Sequence, residues 1–192
     1  MLHFDINTVF HEIGEKMSEC PYKNFKTKIA KFINVLREPR EEYGGLPACP
    51  FVGSEVDKNK LMIELFDPAK NNIIEMIDKF IESEYESALF AQVTEEQITS
   101  EETFEYQSFI NRQIKKAGHK NLKCICFNPN DDVGVGGFNI RSHAPYFLIN
   151  IADKSVLSTA HKKLLNTKYF DKMNKEYLDY LHVKEKHLRR KK

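Results

Sequence analysis

Two apolar runs enclosing a polar, glycine-rich connection, all within residues 122–152, constrain the fold more than any other part of this chain. Residues 122–127 (Leu-Lys-Cys-Ile-Cys-Phe) and 146–151 (Tyr-Phe-Leu-Ile-Asn-Ile) are short, rich in β-branched and aromatic side chains, and bounded by turn formers. Runs of that length and composition predict strands. Consecutive strands tend to pair as neighbours, so the two are expected to lie antiparallel. Between them stand Gly134, Gly136 and Gly137. A backbone nest for phosphate is one use of such glycines. The segment lacks the Gly-Lys-Ser/Thr ending of a P-loop, fails the Rossmann fingerprint and precedes a strand rather than a helix, so a hairpin connection needing positive φ is the favoured reading.

The rest of the chain supplies alternating helices and strands. Ile6, Val9, Phe10, Ile13 and Met17 recur at helical spacing, and Phe25, Ile29, Phe32, Ile33 and Leu36 do so more clearly over 24–37, where Pro39 ends the pattern. Residues 38–59 show neither period and read as a long connection. Residues 60–66 predict a first strand. Asp67-Pro68 then suggests the cap and first residue of a helix that buries Ile73, Ile74, Ile77, Phe80 and Ile81. Residues 87–93 predict a second strand. Thr94 with Gln97, and Thr99 with Glu102, each fit a capping box, and the helix that follows is expected to bury Tyr106, Phe109, Ile110, Ile114 and Ala117 before Gly118 stops it. After the last strand, Asp153 caps a helix carrying Val156, Leu157, Ala160 and Leu164, and Asp171 opens a final one with Met173, Tyr177, Tyr180 and Leu181 inward.

This order predicts an α/β (or α+β) protein: a mixed sheet of about four strands with helices packed on it, plus N-terminal helices. It also matches the element order of thioredoxin-like folds, but no Cys-x-x-Cys follows the first strand, so redox chemistry is not carried over. One globular domain over residues 1–183 with a basic tail at 184–192 is the expected organisation. With 29 basic against 28 acidic residues, overall charge points to no partner. The tail reads first as a solvated helix end, since no aromatic residues interleave its charges; a nucleic-acid arm is the alternative. No secretory signal and no membrane-spanning run is evident, and Cys20, Cys49, Cys124 and Cys126 fit a reducing cytoplasm better than a disulfide scaffold.

Candidate chemistry concentrates in two segments. Arg141, Ser142 and His143 follow Asn139 at the entrance to the last strand. Strand alternation would put Arg141 and His143 on one face and Ser142 on the other. That separates Ser142 from a base but suits an anion clamp, with Arg141 as the fixed charge, His143 as the titratable partner, and Asn139 and Ser142 assisting. In the second segment, Cys49-Pro50-Phe51, a thiol beside a proline could serve as nucleophile if a cation lowered its pKa. The Cys-Pro dipeptides at 20–21 and 49–50 could also offer thiolate to haem, though so short a motif is common by chance. No histidine pair has zinc spacing, Asp131-Asp132 is a weak cation signal, and a site assembled from Cys49, His143 and a carboxylate stays open, so no cofactor is named.

Cys49-Pro50-Phe51, Phe127-Asn128-Pro129 and the run from Asn139 through Arg141, Ser142 and Pro145 to Tyr146 resemble a family of bacterial cytosolic proteins of uncharacterised function. That family carries Cys-Pro-Phe, Phe-His-Pro and Asn-Arg-Ser-Pro-Tyr-Pro motifs. Asn128 stands where the family has histidine, and extra residues interrupt the last motif. The resemblance spans residues 49–165 and implies a shared fold and a pocket near Cys49 and Arg141. Together these readings predict a small cytosolic enzyme, or enzyme-like binder, of an anionic small molecule, with Cys49 and His143 catalytic and Arg141, Ser142 and Asn139 binding. The alternative is a non-catalytic module engaging protein or nucleic acid through its acidic middle or basic tail.

Overall fold

The computed structural model describes residues 24–92, 98–132, 134–175 and 178. The expected helix over residues 6–17, the Thr94–Gln97 box, the tail and most of the helix expected from Asp171 lie outside the described residues. The architecture is α/β, with one four-stranded sheet between two helical layers. Helix α1 (Phe25–Arg37) leads into a small antiparallel pair, β1 (Pro39–Arg40) and β2 (Leu46–Pro47), and a short helix α2 (Val52–Asp57). Then follow β3 (Leu61–Phe66), α3 (Ile73–Ile81), β4 (Ser87–Gln92), α4 (Ser100–Lys116), β5 (Leu122–Phe127), β6 (Phe147–Asp153) and α5 (Lys154–Leu164). The sheet order is β3-β4-β6-β5. Strands β3 and β4 run parallel, while β6 is antiparallel to both of its neighbours, including β5 as expected.

Alternation along the strands sorts the core. Leu61, Ile63, Leu89, Ala91 and Leu148 meet the buried stripe of α1 and the Val52 and Val56 side chains of α2. On the opposite face Met62, Ala88, Phe90, Cys124, Cys126 and Ile149 meet α3 and α4. A third cluster joins Tyr43 to Val135, Leu164, Tyr169 and Phe170.

Several local expectations shift. The segment over 38–59 is not an irregular connection, since it holds β1, β2, a 3-10 turn over Glu41–Tyr43 and α2. Asp67 caps only a turn, accepting from the Ala69 N–H at 3.0 Å. Helix α3 starts at Ile73, where the Asn72 side chain accepts from the Ile74 N–H at 2.9 Å. Its inward stripe takes Met76, while Ile81 is exposed. The Thr99–Glu102 capping box is present. At the other end of α4, Gly118 (φ +93°) forms a Schellman turn, with Gly118 N–H to Lys115 C=O and His119 N–H to Ile114 C=O. Asp153 caps α5 through the Ser155 N–H at 2.6 Å.

The largest departure concerns the inner face of α4. Phe109 and Ala117 point outward, whereas Thr103 and Gln107 are buried beside Ile110 and Ile114. The cause is the edge strand β5, whose outward N–H and C=O groups have no neighbouring strand. Asn111 accepts from the Cys124 N–H at 3.0 Å and donates to the Cys124 carbonyl at 3.1 Å. Gln107 accepts from the Cys126 N–H at 2.7 Å, and Asn128 donates to Thr103 at 2.8 Å. Four residues of helix rise about 6 Å and two residues of strand about 6.6 Å, so polar side chains at i, i+4 and i+8 keep register with alternate strand positions.

Replacing Asn111 with Ala leaves the Cys124 N–H buried without that partner. The expected cost is about 1–3 kcal/mol, seen as a lower urea midpoint at unchanged m-value, with faster hydrogen exchange at the Cys124 amide.

Candidate functional site

The side of the sheet that faces α1 carries a hollow. The cross-strand register aligns Leu61, Ser87, Ala152 and Lys123 in one row and Ile63, Leu89, Asn150 and Ile125 in the next. Ser87 and Ala152 sit side by side in the first row, and their small side chains leave space that α1, α2 and α5 cover without filling. The resulting hollow has a volume of about 80 Å³. Its apolar walls include Phe32, Leu36, Leu89 and Leu157, and its polar lining is Cys49, Glu55, Ser87 and Asn150.

Each polar group has a definite state. The Ser87 hydroxyl donates to Glu55 Oε2 at 2.9 Å. Burial pushes the Glu55 carboxyl above its ordinary value of 4.5; the Ser87 hydrogen bond opposes the shift and Glu86 adds to it. Asn150 Nδ2 donates to the Ala88 carbonyl at 3.2 Å, leaving its amide oxygen toward other partners. Burial, with Glu55 nearby, pushes the Cys49 thiol up to about 11, against the pull of the Phe51 and Val52 N–H groups. At neutral pH Cys49 is therefore a protonated thiol, a poor nucleophile.

The second predicted segment lies elsewhere. Arg141, Ser142 and His143 form a 3-10 turn, not a strand, so alternation does not govern where they point. Arg141 is 3% exposed and pairs through Nη1 with Asp131 Oδ2, itself 4% exposed. Ser100 donates to the other Asp131 oxygen at 2.9 Å. Asn139 donates to the Asp131 carbonyl and accepts from the Arg141 N–H at 3.0 Å, while Ser142 donates to the Asn139 carbonyl at 2.8 Å. His143 is exposed, its ring stacked on Phe138 at 5.3 Å between centroids, and the Arg40 guanidinium lies over Phe138 at 3.8 Å. None of Asn139, Arg141, Ser142 and His143 lines the hollow that Cys49 lines. The expectation of one pocket shared by Cys49 and the Arg141–His143 pair is thus corrected: the guanidinium is turned inward onto Asp131 and fastens the loop.

The glycines belong to that loop. Val135 and Phe138 pair through both backbone hydrogen bonds, and Gly136 (φ +58°) and Gly137 (φ +89°) make the two-residue turn between them. Two consecutive positive φ values are the geometry of a tight hairpin. Asp131 is spent on Arg141 and Ser100, and among the described residues no group of three or more His, Cys, Asp or Glu side chains could hold a metal.

Reading the sequence missed Glu55, Ser87 and Asn150. Asn150 had a visible signal, a lone amide within Phe-Leu-Ile-Asn-Ile-Ala, where buried strands carry apolar side chains. Glu55 had none, because its helix is six residues long. Compared with family models, curated proteins and solved structures, the chain matches none.

Two outcomes are expected. Arg141→Met should destabilise by about 3–5 kcal/mol, because Asp131 is left buried without its cation. Adding Asp131→Leu should recover much of that loss in urea unfolding. Glu55 has a folded pKa above 4.5, so it favours the fold most below that pH, and the contribution is lost as pH rises through the folded value. Glu55→Gln, which can still accept from Ser87, should therefore raise stability at pH 7 and have little effect at pH 4, measured as paired urea curves.

Proposed function

We propose that this chain is a binder of a small, mainly apolar molecule held in the hollow between the sheet, α1, α2 and α5. The observation that carries this reading is the convergence of Cys49, Glu55, Ser87 and Asn150 on one otherwise apolar cavity. Apolar walls with a few converging polar groups are the usual composition of ligand sites. Glu55 is the group best suited to fix a ligand's orientation, through a hydrogen bond to a hydroxyl or amine. Asn150 offers an amide oxygen from the middle of the sheet. The raised pKa of Cys49 favours non-covalent binding over thiolate chemistry.

The test is an NMR titration of the full chain with straight-chain alcohols of four to eight carbons. The amides of Leu89, Asn150 and Ala152 should shift saturably. Ala152→Leu, which puts carbon into the hollow, should lower that affinity at least tenfold while keeping the native spectrum. Alcohol shifts scattered over the surface, or unaffected by Ala152→Leu, would remove the assignment.

A further inference from the structure

The hollow has a neighbour. A wider groove of about 250 Å³ is lined by Phe51, Ser155, Val156, Thr159 and Lys163. Phe51 and Val156 wall both spaces. Taken singly, each is smaller than the roughly 300–1,000 Å³ typical of small-molecule sites. Joined across Phe51, they reach that range.

The two spaces differ in charge. Within the inner one the ionisable groups are Glu55 and the Cys49 thiol, and Glu55 disfavours an entering anion. The outer one presents the Ser155 and Thr159 hydroxyls and the Lys163 ammonium, spaced i, i+4 and i+8 along one face of α5. Helix α5 has no acidic residue and carries Lys154, His161, Lys162 and Lys163. Lys123 is set apart from the trio of Ser155, Thr159 and Lys163: it interacts with Lys154 and His161, which lie on the opposite face of the helix. Its ammonium is pushed down to about 8, first by burial and then by Lys154, and His161 is lowered by burial and by Lys123. Asp153, at the start of the helix, is taken up by the Ser155 N–H and by Asn121.

Resting on the hollow as a binding site, we infer that the two spaces form one site for a small amphipathic acid, with its aliphatic chain passing Phe51 into the hollow and its carboxylate or phosphate held outside by Lys163, Thr159 and Ser155. The charge pattern sets the orientation: the acidic interior rejects the head group that the basic helix attracts. Phe51 limits the length of chain admitted. An 80 Å³ hollow is about half the ~150 Å³ cavity that holds benzene, so the inner space suits the end of an aliphatic chain rather than a ring. This returns an anionic ligand to the protein, on a different cation from the Arg141 suggested by sequence.

The experiment compares octanol, octanoate and octyl phosphate on the full chain at pH 7 by NMR and calorimetry. Both anions should bind at least tenfold tighter than octanol, with shifts at Thr159 and Lys163 as well as at Asn150. A preference for only one anion identifies the head group. Lys163→Glu should cancel the anion advantage and leave octanol binding unchanged, and Phe51→Ala should strengthen binding of all three eight-carbon compounds. If octanol reaches the hollow but the anions gain nothing, or if Lys163→Glu leaves octanoate unaffected, the head-group site is overturned and the hollow survives. If no compound shifts the hollow amides, the binding reading itself fails.

Discussion

Everything in this fold hangs on how the outer edge of β5 is closed. An edge strand exposes a row of backbone donors and acceptors that invites pairing with another chain, and burying such a row unpaired costs free energy at each position. Here a helix closes it. Asn111 offers both halves of its amide to Cys124, much as a neighbouring peptide group would, and Gln107 repeats the acceptor half at Cys126. Because the helical and strand repeats differ by only about 0.6 Å over this spacing, the match holds across Thr103, Gln107 and Asn111. This contact fixes the position of α4 along the sheet, and with it the layer that also contains α3. The same contact brings the Cys124 and Cys126 thiols under apolar cover, 3.8 Å apart.

Fixing that layer leaves the two faces of the sheet unequal. The α4 face is filled by Phe90, Ile110, Ile149 and their neighbours, with large side chains on both sides of the contact. The α1 face is crossed by a row whose central members are Ser87 and Ala152. Three helices of differing length, α1, α2 and α5, bridge over that row, and Glu55 of α2 reaches down to Ser87 in it. The hollow is therefore a product of sequence at two adjacent strand positions. Its polar lining follows from the same cause, since a small serine in this row can reach the Glu55 carboxylate from below.

The sheet and most helices were legible because hydrophobic periodicity reports burial directly. The runs at 61–66, 87–92 and 122–127 are bounded by turn residues, and the antiparallel pairing of the last two strands followed from their adjacency. Periodicity failed on α4, where buried polar residues serve the edge of β5 and leave Phe104 and Phe109 at 64% and 41% exposed. It failed again at Asp67, where a turn competed with the helix start and Asn72, five residues later, held the cap. The site was less legible than the fold. Cys49, which lines the hollow, stands out locally in Cys-Pro-Phe. Its companions Glu55, Ser87 and Asn150 come from three separate elements, and only the sheet register brings them together. Arg141 stood out for its chemistry, but sequence carried no sign that Asp131, ten residues earlier, would consume its charge.

Arg141 and Glu55 are charges held in two different ways in this molecule. Both are ionisable groups withdrawn from water. Arg141 has an opposite charge in contact, and Ser100 and Asn139 bond to the same aspartate and its loop, so its charge is already engaged within the fold. Glu55 has a hydroxyl for a partner and a second carboxylate, Glu86, acting on it through space. A carboxyl held that way carries a standing cost as an anion, and a ligand that donates a hydrogen bond can relieve it. Selection for stability alone would favour an amide or an apolar side chain at position 55. That a carboxylate occupies the wall of the hollow, and not the closed loop, is what makes the hollow the stronger candidate for binding.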